Sequence, residues 1–343
     1  MNRCGLVTDP LFIMHDPGPG HPESPKRLKS IYRMLKEEDL SGRCQVVAPR
    51  RASSEEICRI HTNEYYKSIA ESEGRAVMLD PDTYTSVDSF RAAELAAGGT
   101  LALVESVVGG EIDNGYALIR PPGHHAEQAR AKGFCLFNNV AIGAAHAIVK
   151  LGMKRVMIAD WDLHHGNGTM HSFYNRADVL YFSIHQYPYF PGTGAAADIG
   201  AGEGVGYTVN VPVAPGMGNR EYRAIFREVL APVAKQFAPE LILVSTGFDT
   251  YRRDPLGGMK MTVEGYGALT HELMQMADIS CGGKLGLVLE GGYNLEGLSQ
   301  GVAFTIRTLL GEYQPEPQDE DPGLAGPFIE ATRQAHSEYW KFN

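Results

Sequence analysis

The chain is punctuated by short apolar runs, too brief for helices and too continuous to face water on one side. They lie at 4–8, 44–48, 115–119, 155–160, 178–184, 206–213, 240–246 and 285–290. Rich in Val, Ile and Leu, they carry the signature of strands covered on both faces. Helical periodicity marks the stretches 25–38, 54–71, 88–109, 138–151, 219–236, 262–278 and 294–311. This alternation predicts an α/β fold on a mostly parallel sheet. No second core and no fixed-period repeat is visible, so 1–343 reads as one domain with a C-terminal extension of about 315–343. There PEPQDEDPGLAGP (315–327) reads as a surface connector to a helical piece near 328–340. That helix can dock on its own domain or on a neighbour, which leaves a homo-oligomer open.

Open parallel sheets bind ligands beyond the carboxyl ends of their strands. Polar clusters fall at those ends: RPPGHHA (120–126), DWDLHHGNGT (160–169), SIHQ (183–186), STGFD (245–249) and EGGYN (290–294). Asp162 and His164 stand two apart, so in extended chain they project to one side. Carboxylate oxygen and imidazole nitrogen suit Zn²⁺, and also Fe²⁺ or Co²⁺. Asp249 is the natural third ligand, and three protein ligands leave a position open for water. Taken alone, Asp162 and His164 are as readily a hydrogen-bonded pair in a tight turn.

His124 and His125 are adjacent, which suits two acid–base groups better than two ligands of one ion. Each then needs a partner to fix its tautomer, and Asp160 and Asn167 are at hand. Two core histidines satisfied by backbone are the alternative for such a pair in isolation. Tyr293 follows Gly291 and Gly292, whose freedom allows close backbone approach. A phenol delivered there can donate to a developing oxyanion, although such a sequence is more often a turn with a packed aromatic.

Composition excludes several classes. The net charge of -10 disfavours sequence-independent nucleic-acid binding. It is compatible with a cationic amine substrate. The 5 cysteines are scattered, with no CxxC pair, so neither a disulfide framework nor a thiolate zinc finger is expected. No apolar run reaches the roughly 18 residues of a membrane span, and the N-terminus does not read as a secretion signal. A cytoplasmic protein without membrane or nucleic-acid partners is therefore expected.

Together, HPESPKR (21–27), RPPGHHA, GFCLFNN (133–139), DWDLHHGNGT, PGTG (191–194), STGFD and LEGGYNL (289–295) resemble the zinc-dependent histone deacetylase and acetylpolyamine amidohydrolase family, in order and over most of the chain. The likeness is to class II-like, bacterial-type members and extends to acetoin-utilisation-type relatives. It implies the arginase-like three-layer α/β/α sandwich around an eight-stranded, mostly parallel sheet. Gly166 stands where arginases carry a further carboxylate, which argues against a second catalytic metal.

The resemblance assigns Asp162, His164 and Asp249 to zinc, with Fe²⁺ possible in its place. It makes His125 the general base, His124 an electrostatic support paired with Asp160, and Tyr293 the oxyanion donor. Asn167, beside His125, follows the class II-like pattern; uncharged, it stabilises imidazolium less than aspartate does. The carbonyl of Gly133 would hold the substrate N–H, and Phe134 and Phe190 would wall a narrow tunnel near Gly292. Ordinary core packing is the commoner fate of such phenylalanines.

Asp82 matches a rim aspartate, and Arg27 the arginine of an internal acetate-exit channel, with a surface salt bridge as the alternative. Structural potassium would take side-chain oxygens from Asp160 and Ser183 and carbonyls from Asp162, His164 and Ile184. Leu256 stands where polyamine-specific relatives place a gatekeeper glutamate, and leucine cannot pair with a distal ammonium. The expected substrate is an acylated lysine or other acylated amine. An acetylpolyamine or small-amide hydrolase, or a scaffold that binds acyl ligands without turnover, are the alternatives.

Overall fold

The computed structural model describes residues 2–317 and 321–342. The predicted strand runs form strands within a few residues of their expected bounds. In chain order, and including a separate hairpin, the strands are Cys4–Val7 (β1), Gln45–Val46 (β2), Met78–Asp80 (β3), Thr83–Tyr84 (β4), Asn114–Ala117 (β5), Val156–Asp160 (β6), Val179–Gln186 (β7), Thr208–Val213 (β8), Leu241–Thr246 (β9) and Leu285–Leu289 (β10). The 8-stranded sheet has the order β2-β1-β5-β10-β9-β6-β7-β8. Every pairing in it is parallel, so the expected "mostly" is exceeded.

The continuous apolar runs explain this burial. VMIAD of β6 and LILVST of β9 are buried at every position, and two groups of helices supply the cover. Lys26–Glu37, Val263–Cys281 and Leu295–Leu309 pack together as one group; Ser89–Val108 and Asn139–Val149 form the other. The result is three layers, helix on sheet on helix. The C-terminal helix Gly326–His336 docks on its own chain: Thr332 donates to the Asn210 carbonyl on β8, and the Trp340 indole N–H to the Gly206 carbonyl at 2.7 Å. Residues 318–320 of the expected connector lie outside the described residues.

Local chemistry explains where the helices depart from expectation. The stretch 54–71 is two helices, Ser54–Ile57 and Asn63–Ala70, because Thr62 caps the second by accepting the Tyr65 N–H at 3.1 Å. The stretch 219–237 is continuous but widens at Phe226–Leu230, just before Pro232. A proline ring clashes with the carbonyl four residues back in a regular helix. The helix Asn167–Phe173 was not anticipated, since it begins inside the polar DWDLHHGNGT run. The β3–β4 hairpin was also missed; its strands are too short to show a period.

Several buried histidines are held neutral by the fold. His61 Nδ1 donates to the Glu127 carbonyl while Nε2 accepts the Asn138 N–H, a complete set only for the uncharged ring. Burial pushes His61, His185 and His336 each down to about 4. A base depressed in the fold contributes its full stability above the ordinary value near 6.5 and loses it as pH falls toward 4. The thermal midpoint is therefore expected to drop steeply between about pH 6.5 and 4, each ring accounting for up to roughly 3 kcal/mol. Replacing His336 by Leu should flatten that slope in a calorimetric pH series.

Candidate active site

The sheet order brings the polar clusters together. Adjacent strands β5, β10, β9 and β6 carry, beyond their carboxyl ends, the His124–His125, Tyr293, Asp249 and Asp162–His164 segments, and the last residues of β7 itself supply Ser183–His185. Neighbouring strands lie about 4.8 Å apart, so residues up to 169 positions apart in sequence share one rim.

At its centre, Asp162, His164 and Asp249 are buried with their ligand atoms within 4.8 Å of one another. His164 Nδ1 lies 3.2 Å from Asp162 Oδ1 and 3.1 Å from Asp249 Oδ2. The backbone fixes both carboxylates: Asp162 accepts the His164 and Gly291 N–H groups, and Asp249 accepts that of Leu163. A side chain at Gly291 would collide with both, its Cβ falling 2.5 Å from Asp249 Oδ2 and 2.7 Å from Asp162 Oδ2. Burial opposes charge on His164, yet the two carboxylates outweigh it and push the imidazole up to about 9. Two buried carboxylates and one imidazole thus form a pocket that draws positive charge, with the mixed oxygen and nitrogen donors of a divalent-metal site. A second group, Glu56, Glu105 and His146, is crossed by Arg50 and Arg59, which makes it an ion-pair network.

The adjacent histidines separate as expected. His124 Nδ1 contacts Asp160 Oδ2 at 3.0 Å, and His125 Nδ1 contacts Asn167 Oδ1 at 2.8 Å. Burial resists charge on His124, but Asp160, Asp162 and Glu290 overcome it and lift the ring to about 10. Burial, then the nearby His124 and His164, hold His125 well below its ordinary value; Asn167 only partly offsets this. His165, which had no assigned role, bonds Thr193 Oγ1 at 2.7 Å and lies against His185, bracing the PGTG loop.

A cavity of about 80 Å³ leads to this centre, bordered by Asp82, Gly133, Phe134, Phe190, Leu256 and Tyr293. The Phe190 ring meets that of His125 edge-on at 5.1 Å. Gly133 lies at φ 56°, and a Cβ there would stand 2.4 Å from the His125 ring, so only glycine allows this wall. Tyr293 is flanked by Phe134 at 5.9 Å and by the Arg27 guanidinium at 5.2 Å. Burial holds its phenol protonated, well above the usual range. Among the described residues its hydroxyl has no protein partner. Asp82 sits at the turn of the β3–β4 hairpin, and the neighbouring Thr83 accepts the Phe134 N–H, tying that rim to the tunnel wall.

Arg27 is fully buried, which overturns the surface salt-bridge alternative. It donates to the carbonyls of Gly292 and Glu290 and pairs with Glu23. Glu23 also binds Arg120 and faces His15 at 3.3 Å. Glu290, pushed up to about 7 by burial, accepts the Gly123 and His124 N–H groups and the Ser245 hydroxyl. Sequence reasoning missed Glu23, Arg120, Glu290 and His15. Their only signal was charge inside otherwise apolar or glycine-rich motifs. Asp160 and Ser183 are register partners across β6 and β7, with Ile184 next along the strand.

Residues 21–309 match the histone deacetylase domain. The chain belongs to the histone deacetylase family. It is 36% identical to a probable deacetylase of Archaeoglobus fulgidus, over 98% of both chains. It is 42% identical to polyamine deacetylase HDAC10 of Homo sapiens over 93% of its own length and 49% of the relative's. Histone deacetylase 15 of Arabidopsis thaliana is 41% identical, over 90% of this chain and 56% of that protein. The chain thus spans about half the length of these last two. Its fold superposes on the crystal structure of the HDA15 HD domain with a TM-score of 0.93 at 37% identity, covering 99% of this chain and 95% of the other. Among the described residues, no helix is long and apolar enough to cross a membrane.

Metal titration of this family member should give one divalent ion per chain held by the central triad. Replacing Asp249 by Ala should weaken binding by more than the roughly 10–100-fold typical of an outer partner. Replacing Glu105 by Gln should leave the stoichiometry unchanged in equilibrium dialysis, because its cluster is already neutralised by arginine.

Proposed function

We propose that this chain is a zinc-dependent deacetylase, an amidohydrolase that removes acetyl or related acyl groups from acylated amines, with acyl-lysine as the favoured class. One observation carries the reading: a buried Asp-His-Asp triad beside two adjacent histidines, one set against the Asp160 carboxylate and the other against the Asn167 amide, at the foot of a phenylalanine-walled cavity. Different partners give the two rings different roles.

Zinc would be held by Asp162, His164 and Asp249, and Fe²⁺ fits the same donors; when bound, the ion supplies Lewis acidity toward the amide carbonyl and the attacking water. With Nδ1–H given to Asn167, His125 keeps its Nε2 lone pair free to take a proton from that water. The same nitrogen returns the proton to the leaving amine, so that amide and water become carboxylate and amine. His124, in direct contact with Asp160, gives electrostatic support, and the role of base falls to His125. A cation neutralises the part of its field due to Asp162, but the direct contact with Asp160 remains. The Tyr293 hydroxyl donates to the developing oxyanion. Phe134 and Phe190 grip an aliphatic chain, the Gly133 carbonyl holds the substrate N–H, Asp82 binds the substrate backbone at the rim, and Arg27 lines the acetate exit; Gly292, expected at the tunnel, lies behind it, packed on Phe248 with its carbonyl on Arg27. Potassium would sit against Asp160 and Ser183, with carbonyls from Asp162, His164 and Ile184. One continuous core supports a single catalytic domain, and the unpaired cysteines support a reducing, cytoplasmic setting.

Acetylpolyamine hydrolysis is the second reading, favoured by the 42% identity to HDAC10. The mouth argues against it. Leu256 offers no charge, Asp82 is the only carboxylate bordering the cavity among the described residues, and the Lys132 ammonium lies 5.3 Å from the Phe190 ring centroid. On a panel of fluorogenic acyl-lysines and acetylated polyamines, acyl-lysine turnover should dominate. His125→Ala should lower kcat by about 10²–10⁴-fold. Leu256→Glu should raise the relative rate on acetylpolyamines. No turnover on any member with metal bound would overturn the proposal.

A further inference from the structure

We propose that Asp254 is a positioning residue that anchors the Tyr293 loop and the Leu256 rim to a single carboxylate. This rests on the deacetylase reading, in which both residues meet substrate. Asp254 is 7% exposed. Its Oδ1 accepts the Leu256 N–H at 3.0 Å; its Oδ2 accepts those of Tyr293 at 2.6 Å and Asn294 at 2.9 Å. Its own N–H donates to the Tyr251 carbonyl at 2.8 Å, which fixes it to the loop that carries Asp249. Two loops therefore converge on one side chain: the loop after β9, which carries both Asp249 and the Leu256 rim, and the tyrosine loop.

Among the described residues, Asp254 makes no ion pair with a basic side chain. Adjacent Arg253 turns away to Tyr251 and Glu296. The charge is balanced instead by three backbone N–H groups, and hydrogen bonds to an ionised acceptor are the stronger kind. Two of those N–H groups directly precede the helix Leu295–Leu309, whose amino end also favours a negative charge. Asn294 completes the clamp: its side chain caps that helix by accepting the Gly297 N–H and donates back to the Arg253 carbonyl. Among the described residues no side chain holds the Tyr293 hydroxyl, so its place at the cavity wall is set by ring contacts and by this backbone anchor. Catalytic groups misplaced by about 1 Å can lose on the order of 10² in rate.

Asp254→Asn keeps the shape but turns an N–H donor toward other donors, so one of the two loops must let go. We expect kcat on acyl-lysine to fall about 10²-fold with KM changed less than about threefold. In a Tyr293→Phe background the same substitution should change kcat by less than about threefold, because the route through the hydroxyl is already gone. Equal losses in both backgrounds would sink the proposal. Hydrogen exchange gives a readout free of turnover. In the wild-type chain the Leu256, Tyr293 and Asn294 amides should be protected, and Asp254→Asn should speed exchange in peptides spanning 254–260 and 289–297 at least tenfold while β10 is unmoved. Freely exchanging amides in the wild type overturn the anchor even if the variant fails to fold. A wild type inert on every acyl amine overturns the deacetylase reading instead, and the exchange data still decide the anchor.

Discussion

Two fully buried carboxylates, Asp162 and Asp249, stand within reach of one imidazole, and much of the surrounding structure makes that arrangement tolerable. Burying an ionised carboxylate costs several kcal/mol unless it is paired or hydrogen-bonded. Here backbone N–H groups from Leu163, His164 and Gly291 hold the oxygens in place. The remaining imbalance favours a cation, which is why a carboxylate–imidazole centre at the floor of a narrow cavity reads as a metal site rather than as a packing defect.

Around that centre stands a ring of other buried carboxylates, each tied to main chain, hydroxyl or histidine groups that must not move. Asp160 holds His124, and the Glu290 carboxylate holds the turn before it. Glu23 draws Arg27 and Arg120 behind the tyrosine loop, and Asp254 ties that loop to the rim. The groups that would touch substrate are supported by charge-assisted bonds made at a distance, so preorganisation resides in residues that never enter the cavity.

The gathering of Asp162, His164, Asp249, the two histidines and Tyr293 was legible because each lies just past a recognisable apolar strand, and the parallel-sheet rule collects strand ends at one rim. The main-sheet strands were legible for the same reason. Glu23, Arg120, Glu290 and Asp254 were not, since their meaning depends on partners far along the chain. Asp254 sits in DPLGG, a run that points to the rim through Leu256; nothing local says that it binds amides 39 and 40 residues later. Asp82 illustrates a smaller gap. Its hairpin strands are two and three residues long, too short for any alternation to declare itself.

The order of the sheet bears on how the protein can be made. β9 and β10, the last strands along the chain, lie in the middle of the sheet between β5 and β6. A chain emerging from its amino end can pair β1 with β2 and β5, and β6 with β7 and β8, but the two halves cannot meet. They must wait apart, with unpaired inner edges, until the carboxyl-terminal third arrives as a wedge. That wedge brings Asp249 and Tyr293 with it. The site is therefore absent from any partly finished chain, and its assembly coincides with the long-range closure of the whole sheet, the step that topology makes slowest.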